Sequence, residues 1–420
     1  MIHQNQVMAL SRIWSAFIVI AILVAAWKAF GLGDHEIFNR MITEPNGMIE
    51  TCSTAVNISI KLIGIMALFM GLMSIAEKAG GIRFLSRIIG PFFSKLFPEV
   101  PKGHPATGHM MMNFSANLLG LDNAATPFGI KAMESLQELN PEKDRASNAQ
   151  IMFLCLHASG LTLIPVSIIA ARAALLSTSP TDIFIPCMIA TFVATVAAMT
   201  IVSIKQKINL FQPVILAWIL GISSLIALLV VFLTRMSHTE LSTFSGMLSN
   251  GIILLIFLII VGVAWFRGIA VFDAFIDGAK GGFDTAIRII PYLVGILVAI
   301  SLLRTSGTFD VVINGMKQFF AFLGADTRFV DGLPTALIKP MSGSGARGMM
   351  IDTMTNFGPD SFAGRLACIL QGSSDTTFYV IAVYFGAVGV KNTRYAIGSM
   401  LLADLVGIIT SVLLAYLFFG

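Results

Sequence analysis

An all-helical, multi-pass membrane fold is the fold class that the sequence predicts, and two observations predict it. Of the 420 residues, 56% are hydrophobic and only 12% are charged, whereas about a quarter of an ordinary soluble domain is charged. Stretches long and apolar enough to cross a bilayer, which takes about 20 residues, also recur along the chain. They lie near 13–31, 54–76, 148–174, 181–203, 211–233, 250–266, 286–304, 365–390 and 396–418.

Composition and motifs exclude several other classes. The net charge of +4 is small and scattered, so no nucleic-acid partner is expected. The four cysteines lie in or beside apolar runs without metal-ligand spacing, which predicts buried thiols. The stretch GSGARG at 343–348 lacks the Lys-Ser/Thr of a phosphate-binding loop and follows no predicted strand. The first apolar run has no convincing cleavage site, so we expect it to be retained as a span.

Basic residues in short loops predict the orientation of the spans, because they mark the cytoplasmic side. The acid-rich loop 32–52 is expected outside. The loops expected inside carry Lys78, Arg83, Arg87, Lys95 and Lys102, then Lys205 and Lys207, then Arg267, Lys280 and Arg288, then Lys391 and Arg394. These assignments agree only if two further apolar segments, 106–134 and 333–356, enter and leave on one side. The sequence therefore predicts two re-entrant hairpins, with the N-terminus inside and the C-terminus outside.

Two stretches are too short and too amphipathic to span a bilayer. Residues 82–97 and 309–324 each place polar side chains on one stripe of a helix and apolar side chains on the others. Helices of this kind lie in the membrane surface. An ordinary short loop helix is the alternative.

The order of elements repeats in the two halves, 1–208 and 209–420. Each half contains a span, a surface helix, a hairpin, a broken span and a closing span. Within the broken spans, 148–174 and 365–390, residues 155–173 align without gaps to 369–387, and Leu156, Ser159 and Thr162 fall on Leu370, Ser373 and Thr376. Because the two copies run in opposite directions, the sequence predicts an inverted-topology repeat, which is typical of secondary transporters.

Polar residues interrupt these apolar segments where such folds bind substrate. In inverted-repeat transporters the site lies near the midplane, where hairpin tips meet discontinuous helices. Polar groups at membrane depth are costly unless they face protein, water or a ligand. The candidate solute-binding residues are Asn117, Asp122, Asn123, Thr126, His157, Ser342, Ser344, Arg347, Gln371, Ser373, Ser374, Asp375 and Thr376.

Two of these residues have an alternative role as a structural ion pair. Arg347 in the second hairpin and Asp375 in the second break are both ionisable groups at membrane depth. If Arg347 faces a cavity, its guanidinium favours an anionic or polar solute. If it pairs with Asp375, it locks the hairpin against the broken span.

A coupling cation is the one cofactor considered. Asn113, Asn117 and Ser159 lie at the first hairpin tip and the facing break, where amide, hydroxyl and unwound carbonyl oxygens suit Na⁺. The asparagines have an alternative role, which is to bond freed backbone. Proton coupling would instead use a titrating group, and Asp122 and His157 are the candidates.

Three long motifs resemble known families. The stretch NFSANLLGLDNAATPFGIKAME resembles the signature of spore maturation protein A. The stretches KPMSGSGARGMMIDTM and LQGSSDTTFYVIAVYFGAVGVKNTRYAI resemble spore maturation protein B. Nearly the whole chain is similar to a fusion of the two. Both belong to the nucleoside-recognition, or Gate, domain group, which is related to concentrative nucleoside transporters.

The resemblance implies a transporter-like fold in the bacterial cytoplasmic membrane. It does not by itself imply a nucleoside substrate, because nucleoside transporters carry a Gln-Thr-Glu type of hairpin tip. Here the first tip carries Asn117, Asp122, Asn123 and Thr126, and the second carries Ser342, Ser344 and Arg347.

Three function classes remain open at this stage. A secondary transporter of a small polar or anionic solute, coupled to Na⁺ or H⁺, is the leading hypothesis, and a homo-oligomer is a further possibility. A receptor or scaffold that has kept the fold without transport is the second. An intramembrane enzyme is the third: it would need Ser373 or Ser374 as nucleophile with His157 or Asp375 in reach. No enzymatic activity is expected.

Overall fold

The structure is a computed structural model that describes residues 2–45, 47–119, 122–162, 164–233, 235 and 238–420. The side chains at 2–13, 122–124, 233, 238, 239, 241, 242 and 245 lie outside the described part. The described residues contain no named strand, and an isolated bridge joins Arg145 to Asn392. The chain is therefore all-helical, as the sequence predicts.

The first half contains nine helices among the described residues. They are α1 (Ile2–Gly31), α2 (Ile37–Ile42), α3 (Met48–Lys78), α4 (Gly81–Leu96), α5 (Pro105–Leu118), α6 (Asp122–Leu139), α7 (Asn148–Ala158), α8 (Val166–Ala174) and α9 (Phe184–Gln206). The predicted surface helix at 82–97 is present as α4. The predicted hairpin 106–134 is the helix pair α5 and α6.

The second half repeats this order after two additional helices. Its elements are α10 (Pro213–Leu233), α11 (His238–Phe266), α12 (Val271–Thr305), α13 (Thr308–Phe322), a short 3-10 helix (Arg328–Gly332), α14 (Leu333–Ile338), α15 (Gly343–Phe357), α16 (Phe362–Gly372), α17 (Thr377–Ala387) and α18 (Ala396–Phe419). The predicted surface helix at 309–324 is α13, and the hairpin 333–356 is the pair α14 and α15.

Eight segments of the described chain are long and apolar enough to cross a membrane. They include α1, α3, α9, α10, α11, α12 and α18, together with the interrupted pair α16–α17. The remaining predicted span, 148–174, is also interrupted and forms α7 and α8. The multi-pass membrane class is thus confirmed.

Helix α12 differs from its prediction, which starts the span near 286 and places Lys280 and Arg288 in a loop. The helix begins at Val271 and includes both residues. Its glycines weaken an isolated helix, but here they pack against α3. A Cβ on Gly278 would lie 2.3 Å from the Met70 carbonyl oxygen, and one on Gly282 would lie 2.7 Å from the Ala67 backbone. Small residues allow this close helix contact in membranes, so packing extends the helix.

The packing of long helices relates the two halves. The most extensive helix contact joins α3 to α12, and α9 packs along α18. Helix α1, which precedes α3, packs on α12, while α11, which precedes α12, packs on α3. Each half therefore contributes helices to the other, and the interrupted helices lie between them.

Hydroxyl caps mark the starts of both interrupted helices. Ser147 accepts from the Gln150 backbone N–H, and the Gln150 side chain accepts from the Ser147 N–H, which completes a capping box. Ser361 accepts from the Gly364 N–H in the same way at the start of α16. These local signals set where each interrupted helix begins.

Candidate solute-binding site

Both helix breaks and both hairpins contribute to one cavity of about 240 Å³. Its polar lining comes from distant parts of the chain. The polar side chains are Asn117, Thr162, Ser167, Thr285, Lys339, Arg347, Gln371, Ser374, Asp375 and Thr376. The tertiary structure therefore brings together the four elements whose interruptions the sequence predicts to form a site.

The breaks are shorter than the polar stretches suggest. The first comprises 159–165 and the second 373–376, so His157 and Gln371 belong to the last turns of α7 and α16, and Thr377 begins α17. The last turn of a helix leaves its carbonyl groups without intrahelical partners. Polar side chains in these turns can therefore remain helical and still belong to the site.

The two breaks touch each other through their backbones. The Asp375 N–H donates to the Ala158 carbonyl over 2.7 Å. Gly160 follows this contact with a φ of +57°, so the turn after α7 requires the left-handed conformation. Glycine adopts this left-handed conformation at little steric cost. The crossing of the breaks forms one wall of the cavity.

Equivalent serines close the two interrupted helices. The Ser159 hydroxyl donates to the Leu156 carbonyl over 2.7 Å, and the Ser373 hydroxyl donates to the Leu370 carbonyl over 2.9 Å. These are the residue pairs that align between the halves. The same cap at the same aligned position indicates that both helices end by the same local mechanism.

Gln371 carries an orphaned polar atom at the cavity wall. Its amide oxygen is buried and has no hydrogen-bond partner among the described residues. A buried acceptor without a donor costs about 1–3 kcal/mol. A ligand or water that donates a hydrogen bond here would remove that cost.

Lys339, at the tip of the second hairpin, is a cavity residue outside the predicted set. Its buried ammonium donates to the Leu370 carbonyl over 2.5 Å and to the Ser373 hydroxyl over 3.1 Å. It therefore holds the open end of α16 from the opposite side of the cavity. A lysine between two apolar segments is a signal that sequence reasoning could have used.

Asp404 is the second residue outside the predicted set. It lies buried within the apolar helix α18 and accepts from the Thr377 hydroxyl over 2.5 Å. The Ser374 side chain also hydrogen bonds to it. An acid inside an apolar run of this length is again a detectable signal. Asp404 thereby anchors the second break to the closing span.

A cluster of polar side chains supports the first hairpin. The Asn113 amide donates to the Ala125 carbonyl over 2.6 Å, which turns its oxygen toward His157. The His157 Nδ1 lies 3.0 Å from that oxygen and 2.8 Å from the Asn117 amide nitrogen. The Tyr384 ring packs edge-on against the imidazole. His157 therefore joins the hairpin to α7 and α17.

The predicted solute-binding residues divide into three groups. Those that line the cavity are Asn117, Arg347, Gln371, Ser374, Asp375 and Thr376. Five others lie outside the cavity wall and have protein partners. Thr126 hydrogen bonds to Tyr384, Ser342 caps α15, and Ser344 contacts that cap. His157 contacts Asn113, and Ser373 accepts from Lys339. The side chains of Asp122 and Asn123 lie outside the described residues.

The residues predicted to hold Na⁺ are close in space but already have protein partners. Asn113 bonds the backbone of the first hairpin, as its alternative role requires, and Ser159 caps α7. Asn117 lines the cavity. The described residues contain no cluster of three or more His, Cys, Asp or Glu side chains that suits a metal ion. A sodium site stays a prediction.

The fold and this cavity define a class: a multi-pass helical membrane protein with a polar cavity between interrupted helices. A family model described as Gate, nucleoside recognition, matches residues 59–175 and 286–391. The chain belongs to this Gate family. The first matched range begins within α3 and ends after α8, and the second begins within α12 and ends after α17; every residue that lines the cavity, except Thr285, lies in one of them.

Two relatives match the chain strongly. Spore maturation protein B from Bacillus subtilis (strain 168) is 45% identical over 166 residues, which is 39% of this chain and 92% of the relative. Spore maturation protein A from the same organism is 46% identical over 147 residues, which is 35% of this chain and 75% of the relative. The predicted resemblance is confirmed, and the matches are consistent with a fused A/B protein. No solved structure matches the chain significantly.

Proposed function

We propose that this protein is a secondary transporter that binds a small polar or anionic solute in the 240 Å³ cavity. The observation that carries the proposal is the composition of the cavity wall, because two hairpins and two helix breaks from both halves close around it. Transporters place substrate sites where discontinuous helices meet, since unwound backbone is tolerated only where it lines a cavity.

The proposal includes an inverted repeat with re-entrant hairpins. It is supported by the repeated element order and by the reciprocal packing of α1 on α12 and α11 on α3. Contacts between the ends of the broken spans also support it. Arg172, after the first break, contacts Asp360, before the second, while Asp144 and Asn392 meet at the opposite end.

The chemistry of the wall supports a solute with both anionic and donor groups. The Lys339 ammonium and the Arg347 guanidinium line the cavity together with the Asp375 carboxylate. The orphaned Gln371 oxygen adds an acceptor. A solute with a carboxylate or phosphate and a hydroxyl or amine would complement this set. Nucleosides belong among the candidates, because the description of the family model names them.

Solute binding can be tested on purified protein by thermal unfolding with a panel of nucleosides, nucleotides, amino acids and carboxylates. A binder stabilises the folded state by mass action, about 2.7 kcal/mol at one hundred times its Kd. Gln371→Ala and Arg347→Ala should abolish that stabilisation. Thr410→Ala is the matched control, because Thr410 only bonds within α18.

Transport itself is tested by uptake of the identified binder into sealed vesicles. We expect vesicles with the wild-type protein to exchange labelled solute by counterflow, and vesicles with Gln371→Ala to lose this exchange. Binding without uptake would overturn the transport proposal and favour a receptor or scaffold. Labelling of Ser373 or Ser374 by a serine-reactive probe would favour the enzyme hypothesis instead.

The proposed location is the bacterial cytoplasmic membrane, with the N-terminus inside and the C-terminus outside. In a Cys52→Ser background, cysteines placed at exposed positions 35 and 326 should react with an impermeant thiol reagent from outside. Cysteines at 143 and 391, also exposed, should react only after the membrane is permeabilised. Equal labelling of the two sets would contradict the inverted repeat.

The coupling ion is proposed to be Na⁺, held near Asn113, Asn117 and Ser159. Stabilisation by Na⁺ but not by K⁺ at equal ionic strength, absent in Asn113→Ala, would support it. If Na⁺ has no effect and solute binding follows pH, proton coupling replaces it, with Asp122→Asn and His157→Gln as the variants that identify the group.

A further inference from the structure

A second polar cavity, of about 390 Å³, lies at the C-terminal end of α3, away from the solute-binding site. Three segments supply basic side chains to its wall: Lys78 from α3, Arg83 and Arg87 from α4, and Arg267 from the turn between α11 and α12. Lys78 also contacts Asp277, and Glu77 is an acidic residue of the wall. Four basic side chains against this one acidic side chain make the wall basic.

Helix α4 presents basic and apolar side chains next to each other. Arg83 and Arg87 lie one turn apart and are exposed, and Phe84 and Ile88, which follow them directly, are 62% and 43% exposed. The opposite face is buried, where the Ser86 hydroxyl lies 3.1 Å from that of Ser115 in the first hairpin. A helix docked in this way offers guanidinium groups beside an apolar surface, which suits the boundary between headgroups and acyl chains.

The turn between α3 and α4 positions Arg267 at this cavity. Its Nη1 donates to the Ala79 carbonyl over 2.6 Å. Gly80, with a φ of +77°, leaves room for it, because a Cβ there would lie 2.8 Å from the same nitrogen. The bond to Ala79 uses one of the five N–H donors of the guanidinium, so the group is positioned and retains donors for an anion.

Two exposed aromatic side chains lie next to Arg267 in the chain. Trp265 and Phe266 immediately precede Arg267 and are 73% and 86% exposed. Exposed aromatic residues of this kind concentrate where a membrane protein meets the headgroup layer. An exposed aromatic pair next to Arg267 is the pattern expected of a basic cluster at the depth of lipid phosphates.

A polar cavity at the end of α12 provides an internal comparison. It has a volume of about 360 Å³, and its wall contains Arg40 and Arg304 with Glu44, Glu50 and Asp352. Arg304 pairs with Asp352 there. That cavity is of mixed charge, so the α3–α4 cavity differs from it in having a basic excess.

We propose that the α3–α4 cavity binds the phosphate of an anionic phospholipid, with Arg83, Arg87 and Arg267 as phosphate ligands and Phe84 and Ile88 against the acyl chains. Arginine donates to phosphate oxygens in a fork, and basic pockets at the membrane surface bind anionic headgroups. The proposal does not depend on transport, since the cavity is separate from the solute-binding site.

Native mass spectrometry of the full-length protein in detergent tests the proposal with defined lipids. Phosphatidylglycerol and cardiolipin should bind and raise the unfolding temperature, whereas phosphatidylcholine should not. Each basic residue near a membrane surface increases the affinity for anionic lipid about fivefold. Arg83→Ala combined with Arg87→Ala should therefore weaken phosphatidylglycerol binding about 30-fold. Arg267→Ala should also weaken it.

Control variants and competitors make the outcome decisive. Lys391→Ala, an exposed basic residue elsewhere, should bind phosphatidylglycerol like the wild type. Inorganic phosphate and glycerol phosphate should compete only weakly if the acyl chains contribute. Equal binding of phosphatidylcholine, or unchanged binding by folded Arg83→Ala/Arg87→Ala protein, would overturn the proposal. Full competition by inorganic phosphate would replace the lipid with a soluble phosphate.

Discussion

The two interrupted helices are tied to each other at both ends, but by different interactions. At the Arg172 end, a buried ionic network joins the loop after α8 to the loop before α16. At the Asn392 end, backbone hydrogen bonds and side-chain bonds that are not fully buried join the loop before α7 to the loop after α17. The difference teaches that the contacts between two similar halves can differ greatly in how much stability a single substitution removes.

The Arg172 end is built around a fully buried guanidinium. Its Nη2 donates to Asp182 over 2.8 Å and to Asp360 over 3.0 Å, and its Nη1 donates to the Pro359 carbonyl over 2.6 Å. Arg365 donates to the second Asp182 oxygen over 2.8 Å. Charges buried this far from water are tolerated only because every partner is present.

The Asn392 end combines backbone hydrogen bonds with side-chain bonds that are not fully buried, such as those of Arg394 to the Ala146 carbonyl over 3.1 Å and to Asn148 over 2.9 Å. The backbone N–H groups of Lys391 and Asn392 both donate to the Asp144 carbonyl over 2.9 Å, and the Ala146 N–H donates to the Asn392 carbonyl over 2.9 Å. The ion pair of Lys391 with Asp144 spans 3.5 Å and is mostly exposed. Exposed pairs of this kind contribute little to stability.

Arg172→Ala should produce the largest effect. It leaves Asp182 and Asp360 without their central partner, and removal of one member of a buried ionic network costs about 3–5 kcal/mol. Thermal unfolding of purified protein measures the change. Arg394→Ala, at the opposite end, is the matched control and should lose far less stability, because it removes only partly exposed hydrogen bonds to the Ala146 carbonyl and to Asn148 and leaves no buried charge unpaired. Equal losses in the two variants would show that the two ends do not differ in the way described.

Asp360→Asn should produce a smaller effect that depends on pH. Burial alone would raise the pKa of Asp360, but hydrogen bonds from Ser177 and Thr178 and the charge of Arg172 together lower it. A lowered folded-state pKa means that the carboxylate stabilises the fold above its ordinary pKa and that this contribution is lost as the pH falls through the lower value. The free energy of unfolding of the wild type should therefore exceed that of Asp360→Asn by about 2 kcal/mol at pH 7, and this difference should narrow toward pH 3.

The measurement is the unfolding temperature of the wild type and of Asp360→Asn across the same pH series and in the same detergent, so each protein serves as the control for the other. A gap that stays constant between pH 7 and pH 3 would contradict an ionised Asp360 in the network. A gap that widens on acidification would reverse the sign of the argument.

Lys391→Ala should produce the smallest effect, with no measurable change in unfolding temperature at 0.15 M salt. The exposed pair is screened, and the backbone bonds to Asp144 do not need the side chain. Ala146→Pro tests the same end through its backbone, because proline cannot donate to Asn392. If the unfolding temperature falls more in Lys391→Ala than in Ala146→Pro, the exposed ion pair stabilises this end more than the backbone hydrogen bond does.

Local patterns were sufficient for the membrane class, the surface helices and the helix breaks. Apolar runs of about 20 residues, amphipathic stretches such as 82–97, and the Ser-Gly interruptions near Ser159 and Ser373 are each determined by neighbours in sequence. That is why the positions of α4, α13 and the two breaks could be predicted closely. The aligned serine caps, which depend on a carbonyl three residues away, belong to the same group.

Only the tertiary structure decided which polar side chains face the cavity and which hold the fold together. The contact of Asp375 with Ala158, the grip of Lys339 on Leu370 and the pairing of Arg172 with Asp360 join segments far apart in the chain. The length of α12 likewise depends on α3, which fills the space above its glycines. The sequence by itself determined the elements and their order, because hydrophobicity and backbone preference act locally. It could not determine their partners, because the direction of a side chain depends on how distant helices pack.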